Sequence, residues 1–270
     1  MIFWRKKSLE ILTIRGPKEN AVSFCSKRGG IITSLKLRGQ EILYFNTDTF
    51  YDQTKNVRGG IPILFPNVGE LKNSPYPLKQ HGLARISQKW RVKSKNKNSF
   101  AEILTADKEI KKIFPWNFSL IMKCQLEPDG SVSLIQEVIN LEKKSEMPLA
   151  FGLHPYFKVP KGRKQDIKFD FPGGEDIAKD FPKWAYGGTT IIDNPKLKNP
   201  AAILRVTIPE IGTIVMDIAA AYQKIWIWSL PGWDFICLEP SMRDLNGLID
   251  NPELIKSQQS LTAKVNYRLE

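Results

Sequence analysis

Hydrophobicity alternates with a period of two along most of the chain, and that pattern points away from helical architectures. The stretch 119–142, SLIMKCQLEPDGSVSLIQEVINLE, reads as strand, turn and strand, with Pro128, Asp129 and Gly130 supplying the turn. The stretch 202–219 repeats the plan around Pro209 to Gly212, and 224–240 does so around Pro231 and Gly232. Residues 89–106 predict a hairpin with a longer polar loop. At the C-terminus Leu261, Ala263, Val265, Tyr267 and Leu269 share one face of a half-buried strand. Helix signals are scarce: TADKEIKKIFP (105–115) predicts two turns before Pro115. Many short strands separated by turn residues predict an all-β sandwich or barrel. No Pro/Gly/Ser linker or change of composition divides the chain, so one large domain over residues 1–270 is expected.

Hydrophobic residues make up 42% of the chain, enough for a sizeable core. No apolar run approaches the roughly 18 residues of a membrane span. The opening MIFWRKKSLEILTI lacks a long apolar segment before a cleavage site, so no secretory signal is expected. Cys25, Cys124 and Cys237 form no CxxC pair and no disulfide framework, which predicts free thiols in a cytoplasmic protein. The net charge of +12 fits steering of an anionic substrate. Its lysines and arginines are scattered through apparent turns such as VKSKNKNS (92–99), with no nucleic-acid-binding signature, so no nucleic-acid partner is expected.

Against this regular background, the stretch 56–85 (NVRGGIPILFPNVGELKNSPYPLKQHGLAR) reads as a long irregular loop. Its apolar content argues against disorder, so it is expected to pack across a site. The two histidines lie in special contexts. His154 sits in FGLHPYF, where Pro155 interrupts a regular ladder, and His81 sits in QHGLAR. Each reads either as a core histidine bonded to backbone or as a proton-exchanging group in a shared pocket. Glu239 ends the apolar run FICLEP, a costly place for a carboxylate unless it is ion-paired or working as a base with a raised pKa. Arg58 and Arg85 flank the irregular loop and read either as surface charges or as forks for a sugar hydroxyl or phosphate. Asp193, in IIDNP, is an ordinary turn signal as much as a ligand.

Five stretches taken in order resemble the aldose 1-epimerase (galactose mutarotase-like) family, nearest to its hexose-6-phosphate mutarotase branch. They are RGGIPILFPNVG (58–69), QHGLAR (80–85), PWNFSL (115–120), GLHPYFKV (152–159) and FICLEP (235–240). The resemblance implies a large antiparallel β-sandwich, the supersandwich fold, and an isomerase that works without metal or cofactor on a small sugar or sugar phosphate, as a monomer. It makes His154 the general acid and Glu239 the general base. His81, Arg58, Arg85 and, less distinctively, Asp193 become substrate-binding residues. HPYF is nearer the free-sugar enzymes, whereas RGG and HGLAR favour the phosphate branch. The competing readings are a non-catalytic carbohydrate-binding protein on the same fold, a glycoside hydrolase, which would need a second placed carboxylate, and a β protein binding polyanions by charge alone.

Overall fold

In a computed structural model, which describes residues 9–177 and 188–270, the alternating stretches become antiparallel strands. The largest sheet has eight. Its order is Lys168–Asp170, Leu204–Ile208, Gly212–Ile218, Ser260–Leu269, Val132–Asn140, Phe118–Leu126, Ser99–Thr105 and Arg91–Lys95. A second sheet of six runs Gly188–Asp193, Lys224–Ser229, Phe235–Ser241, Gly152–Leu153 and Ile63–Leu64, with Tyr156–Lys158 also paired to Phe235–Ser241. A four-stranded sheet (Leu12–Arg15, Ala21–Cys25, Ile31–Leu37, Gln40–Glu41) and a two-stranded one (Met147–Leu149 with Glu253–Ile255) complete the set among the described residues.

The two large sheets share one apolar cluster, so the expected sandwich is the architecture observed. Ile225, Ile227, Ile236 and Leu238 come from the six-stranded sheet, and Met122, Leu134, Val138, Val265 and Tyr267 from the eight-stranded one. Burying each such side chain contributes about 1.5–3 kcal/mol. The Phe235–Ser241 strand is buried along its whole length, because both of its faces are covered. Even-numbered Ile236 and Leu238 enter the core, whereas Phe235 and Cys237 join a separate aromatic cluster with Tyr156 and Trp228 on the opposite face.

Several predicted features appear at the expected places. The turn over residues 128–130 is closed by Glu127 N–H donating to Ser131 O at 2.9 Å. The predicted helix spans Lys108–Ile113, its first turn capped by the Asp107 carboxylate accepting from the Glu109 and Ile110 amides. The hairpin in 89–106 differs in detail. Its strands, Arg91–Lys95 and Ser99–Thr105, leave only three residues between them, so most of the polar run is strand. Arg91–Lys95 lies at the sheet edge and is fully exposed; there lysines keep an open edge from pairing with another chain. Cys25, Cys124 and Cys237 are free and buried. No helix of the described residues is long and apolar enough to cross a membrane.

The irregular stretch joins the six-stranded sheet through Ile63–Leu64, which pairs with Gly152–Leu153, and isolated bridges tie Ile61 to Ile32 of the four-stranded sheet, Gly59 to Phe45 and, within the stretch, Phe65 to Gly82. Residues 59–69 and 81–84 are buried, whereas residues 70–80 are exposed or half-buried, so only part of the stretch packs as its composition predicted.

Candidate active site

The positions of His154 and Glu239 follow from strand register. Gly152 pairs with Ser241 and Tyr156 with Cys237, so the two short segments on either side of Pro155 keep one register against the Phe235–Ser241 strand. Position 154 therefore falls opposite position 239. Pro155 has no N–H to give the ladder, and the His154 amide turns away to donate to Pro62 O at 3.1 Å. Across this break His154 Nε2 lies 3.4 Å from Glu239 Oε1, and both side chains are buried. The imidazole stacks on Tyr156, with ring centroids 4.6 Å apart and planes 5° apart, and meets Trp228 edge-on.

These two residues form the floor of an open pocket of about 170 Å³, whose walls include Arg58, His81, Arg85, Tyr156, Thr189, Trp226 and Trp228. The irregular loop supplies one wall. His81 adopts a left-handed backbone (φ 62°) and is followed by Gly82 at φ 76°. This tight turn places the His81 ring 5.3 Å from that of His154. His81 N–H donates to Gly69 O at 2.9 Å, and Gly69 N–H donates back to His81 Nδ1 at 3.1 Å. Nδ1 is thereby an acceptor, so in the neutral ring the proton sits on Nε2. Arg85 donates from Nη2 to Gln80 O at 2.8 Å. Arg58 lies over the Trp228 ring, 5.4 Å from its centroid.

Electrostatics set the protonation of this group. Burial, reinforced by the Arg85 and Arg58 guanidinium groups, lowers the His81 pKa to about 3, so the ring is neutral and can serve as a hydrogen-bond donor. Burial also holds His154 well below the usual imidazole range, helped by His81 and the two arginines. Burial pushes Glu239 well above the usual carboxylate range, and nearby Arg85 only partly opposes this. The Glu239 shift has the direction expected from sequence. Arg85 Nε, His154 Nδ1 and Glu239 Oε2 are buried without a hydrogen-bond partner, three of seven such side-chain atoms among the described residues. Unpaired buried polar atoms cost about 1–3 kcal/mol each. Their concentration in one pocket marks it as built to receive polar groups.

The structure thus gathers His154, Glu239, His81, Arg58 and Arg85 around one cavity. It does not bring Asp193 there. Thr189 lines the pocket, but Asp193 lies four residues along the same strand, about 13 Å away. Its exposed carboxylate pairs with Lys224 at 2.9 Å, and the next residue, Asn194, caps a 3-10 turn. Sequence reasoning missed Trp226 and Trp228 as pocket walls. The signal was present: alternation in KIWIWS puts both tryptophans on the face opposite the core residues Ile225 and Ile227. Their partners in register are Glu239 and Cys237. Among the described residues, His154, Cys237 and Glu239 also hold ligand-type atoms within 4.8 Å of one another.

The sequence model of the aldose 1-epimerase family matches residues 10–174. A candidate glucose-6-phosphate 1-epimerase from Cenchrus ciliaris is 30% identical over 162 residues, covering 56% of this chain and 47% of that protein. Another, from Escherichia coli, is 28% identical over 156 residues, covering 56% and 49% respectively. The chain therefore spans about half the length of the curated relatives it matches. Among solved structures, a Synechocystis protein superposes with a TM-score of 0.85 at 26% identity, over 100% of this chain and 99% of its own. A galactose mutarotase related enzyme from Lactobacillus acidophilus gives 0.74 at 20% identity over 97% of both chains, a likeness of fold.

Proposed function

Because the chain belongs to the aldose 1-epimerase family, we propose that it interconverts the α and β anomers of a hexose or hexose 6-phosphate by general acid/base ring opening. The observation that carries this reading is the buried His154–Glu239 pair, 3.4 Å apart on the floor of a pocket lined by hydrogen-bond donors.

Mutarotation needs one proton removed from the C1 hydroxyl and one delivered to the ring oxygen. Glu239 takes the first and His154 gives the second. The bond between C1 and the ring oxygen breaks, and the C1 oxygen becomes a carbonyl. Rotation about C1–C2 presents the other face of the carbonyl, and closure returns both protons. The pair holds one proton whether it is written as neutral acid and neutral imidazole or as carboxylate and imidazolium. A sugar bridging the two residues can therefore relay that proton without changing the net charge of the pocket. His81 Nε2–H, Arg58 and Arg85 hold substrate oxygens, and Trp228 and Tyr156 offer apolar surface to a sugar face.

A phosphorylated sugar is the favoured substrate. Two arginines in the pocket, a net charge of +12 and the description of the curated relatives as candidate glucose-6-phosphate 1-epimerases support it. The same reading takes the chain as one monomeric cytoplasmic domain over residues 1–270, working without a cofactor on a small molecule rather than on nucleic acid or a membrane. The apolar cluster common to both large sheets supports the single domain.

Anomer exchange followed by NMR, with glucose 6-phosphate and free galactose side by side, tests the proposal. The expected result is acceleration with the phosphosugar that is lost in Glu239→Gln. Binding of either sugar with no acceleration over the uncatalysed rate would replace the enzyme with a carbohydrate-binding protein.

A further inference from the structure

We propose that the pocket is also a capture site for a zinc-type divalent cation, held by His154, Glu239 and Cys237, and that metal and sugar exclude one another. Cys237 lies two residues before Glu239 on the same strand, facing the same side, and pairs in register with Tyr156. It is not among the residues that line the pocket. It lies behind the acid–base pair, where the substrate chemistry does not use it.

The geometry fits a small tetrahedral ion. The 3.4 Å between His154 Nε2 and Glu239 Oε1 matches the edge of a tetrahedron with metal bonds of about 2.0–2.1 Å, roughly 3.3 Å. The ligand atoms of all three residues lie within 4.8 Å of one another, so small side-chain rotations on fixed strands bring the sulfur to bonding distance. Glu239 Oε2 is buried and unpartnered, so the carboxylate has a second oxygen free to turn to the metal. Three protein ligands leave the fourth position open toward the pocket, and a sulfur, nitrogen and oxygen set suits zinc rather than magnesium or calcium. The nearby Arg58 and Arg85 repel any cation, so capture depends on the negative charge that the thiolate and carboxylate bring.

Binding expels two protons to solvent, one from the thiol and one from the His–Glu pair. Thiolate and carboxylate then balance the two positive charges. The metal ties up the lone pairs that accept and relay the substrate proton, so it blocks exchange. That inhibition rests on the proposed function, whereas metal binding itself does not.

The test uses the full chain stripped with EDTA. Zinc affinity is measured by competition with a chromophoric chelator, and cobalt is added to look for thiolate-to-metal charge transfer. Wild type is expected to bind one equivalent and show the band. Cys237→Ala and Cys237→Ser should bind at least tenfold more weakly without it. Zinc should stop anomer exchange in wild type, reversibly with EDTA, while the Cys237 variants should need at least tenfold more zinc for the same inhibition. Unchanged affinity in the variants would overturn the proposal. So would a wild-type cobalt complex without the thiolate band, an arm that needs no variant to fold. A thiolate-bound metal in a protein that never accelerates exchange would uphold this site and remove the mutarotase reading instead.

Discussion

A histidine and a glutamic acid buried side by side hold one proton more cheaply than two or none, because either alternative leaves a net charge out of water. This fixes the expected pH dependence. Below the lowered His154 pKa both groups are protonated and no base remains; above the raised Glu239 pKa neither holds a proton and no acid remains. The two limbs belong to the pair rather than to either residue. The rate in EDTA-treated protein should therefore form a plateau. Its acid limb should lie below the ordinary imidazole range and its alkaline limb above the ordinary carboxylate range. An acid limb near the ordinary histidine value would show that His154 is solvated. Glu239→Gln and His154→Asn should each slow exchange by about 10²–10⁴-fold, and their double variant by little more than the worse of the two. Additive losses would mean that the residues do not act as a unit.

At the scale of elements, the site joins a rigid sheet to an irregular loop, and at Gly82 the loop folds back closely on its own Phe65, just past the Ile63–Leu64 strand. A Cβ at this position would lie 2.1 Å from Phe65 O, which accepts from the Leu83 amide, and its φ of 76° disfavours any other residue. Gly82→Ala should cost on the order of 3 kcal/mol in chemical denaturation and raise KM, because His81 would shift. A variant as stable as wild type would show that the turn relaxes freely. Much of this organisation was legible in the sequence. Period-two alternation marked the hairpins, and Pro155 and the glycines marked where regular pairing stops. The opposition of His154 and Glu239 was not legible. It depends on the pairing of strands more than eighty residues apart, and alternation says which face a residue occupies but not which partner it meets. Asp193 shows the converse: a sound local signal does not fix how far along a strand the pocket reaches. VKSKNKNS read as loop because a doubly exposed edge strand needs no apolar face.

At the scale of the whole molecule, a second buried carboxylate ties stability to pH. Glu102, on the Ser99–Thr105 strand, accepts a hydrogen bond from the Ser26 hydroxyl, and burial raises its pKa from 4.5 to about 7. The folded state then holds this proton more tightly than the unfolded chain does. The stability due to Glu102 is complete below the unfolded value and falls as pH rises through the folded one. Its loss between about pH 4.5 and 7 should be on the order of 3 kcal/mol. Subtracting urea unfolding free energies of Glu102→Gln from those of wild type should isolate this slope; a flat difference would place the carboxyl in water.

The strand that carries Glu239 into the pocket also carries Leu238 into the core, so a single peptide unit separates solvent-facing chemistry from the sandwich interior. Glu239, the proposed base, therefore cannot come apart from the sandwich independently. On heating, loss of activity should coincide with the global melt, and the backbone amides of residues 236–239 should rank among the slowest to exchange with deuterium. A catalyst of this design trades local adaptability for an all-or-none working range.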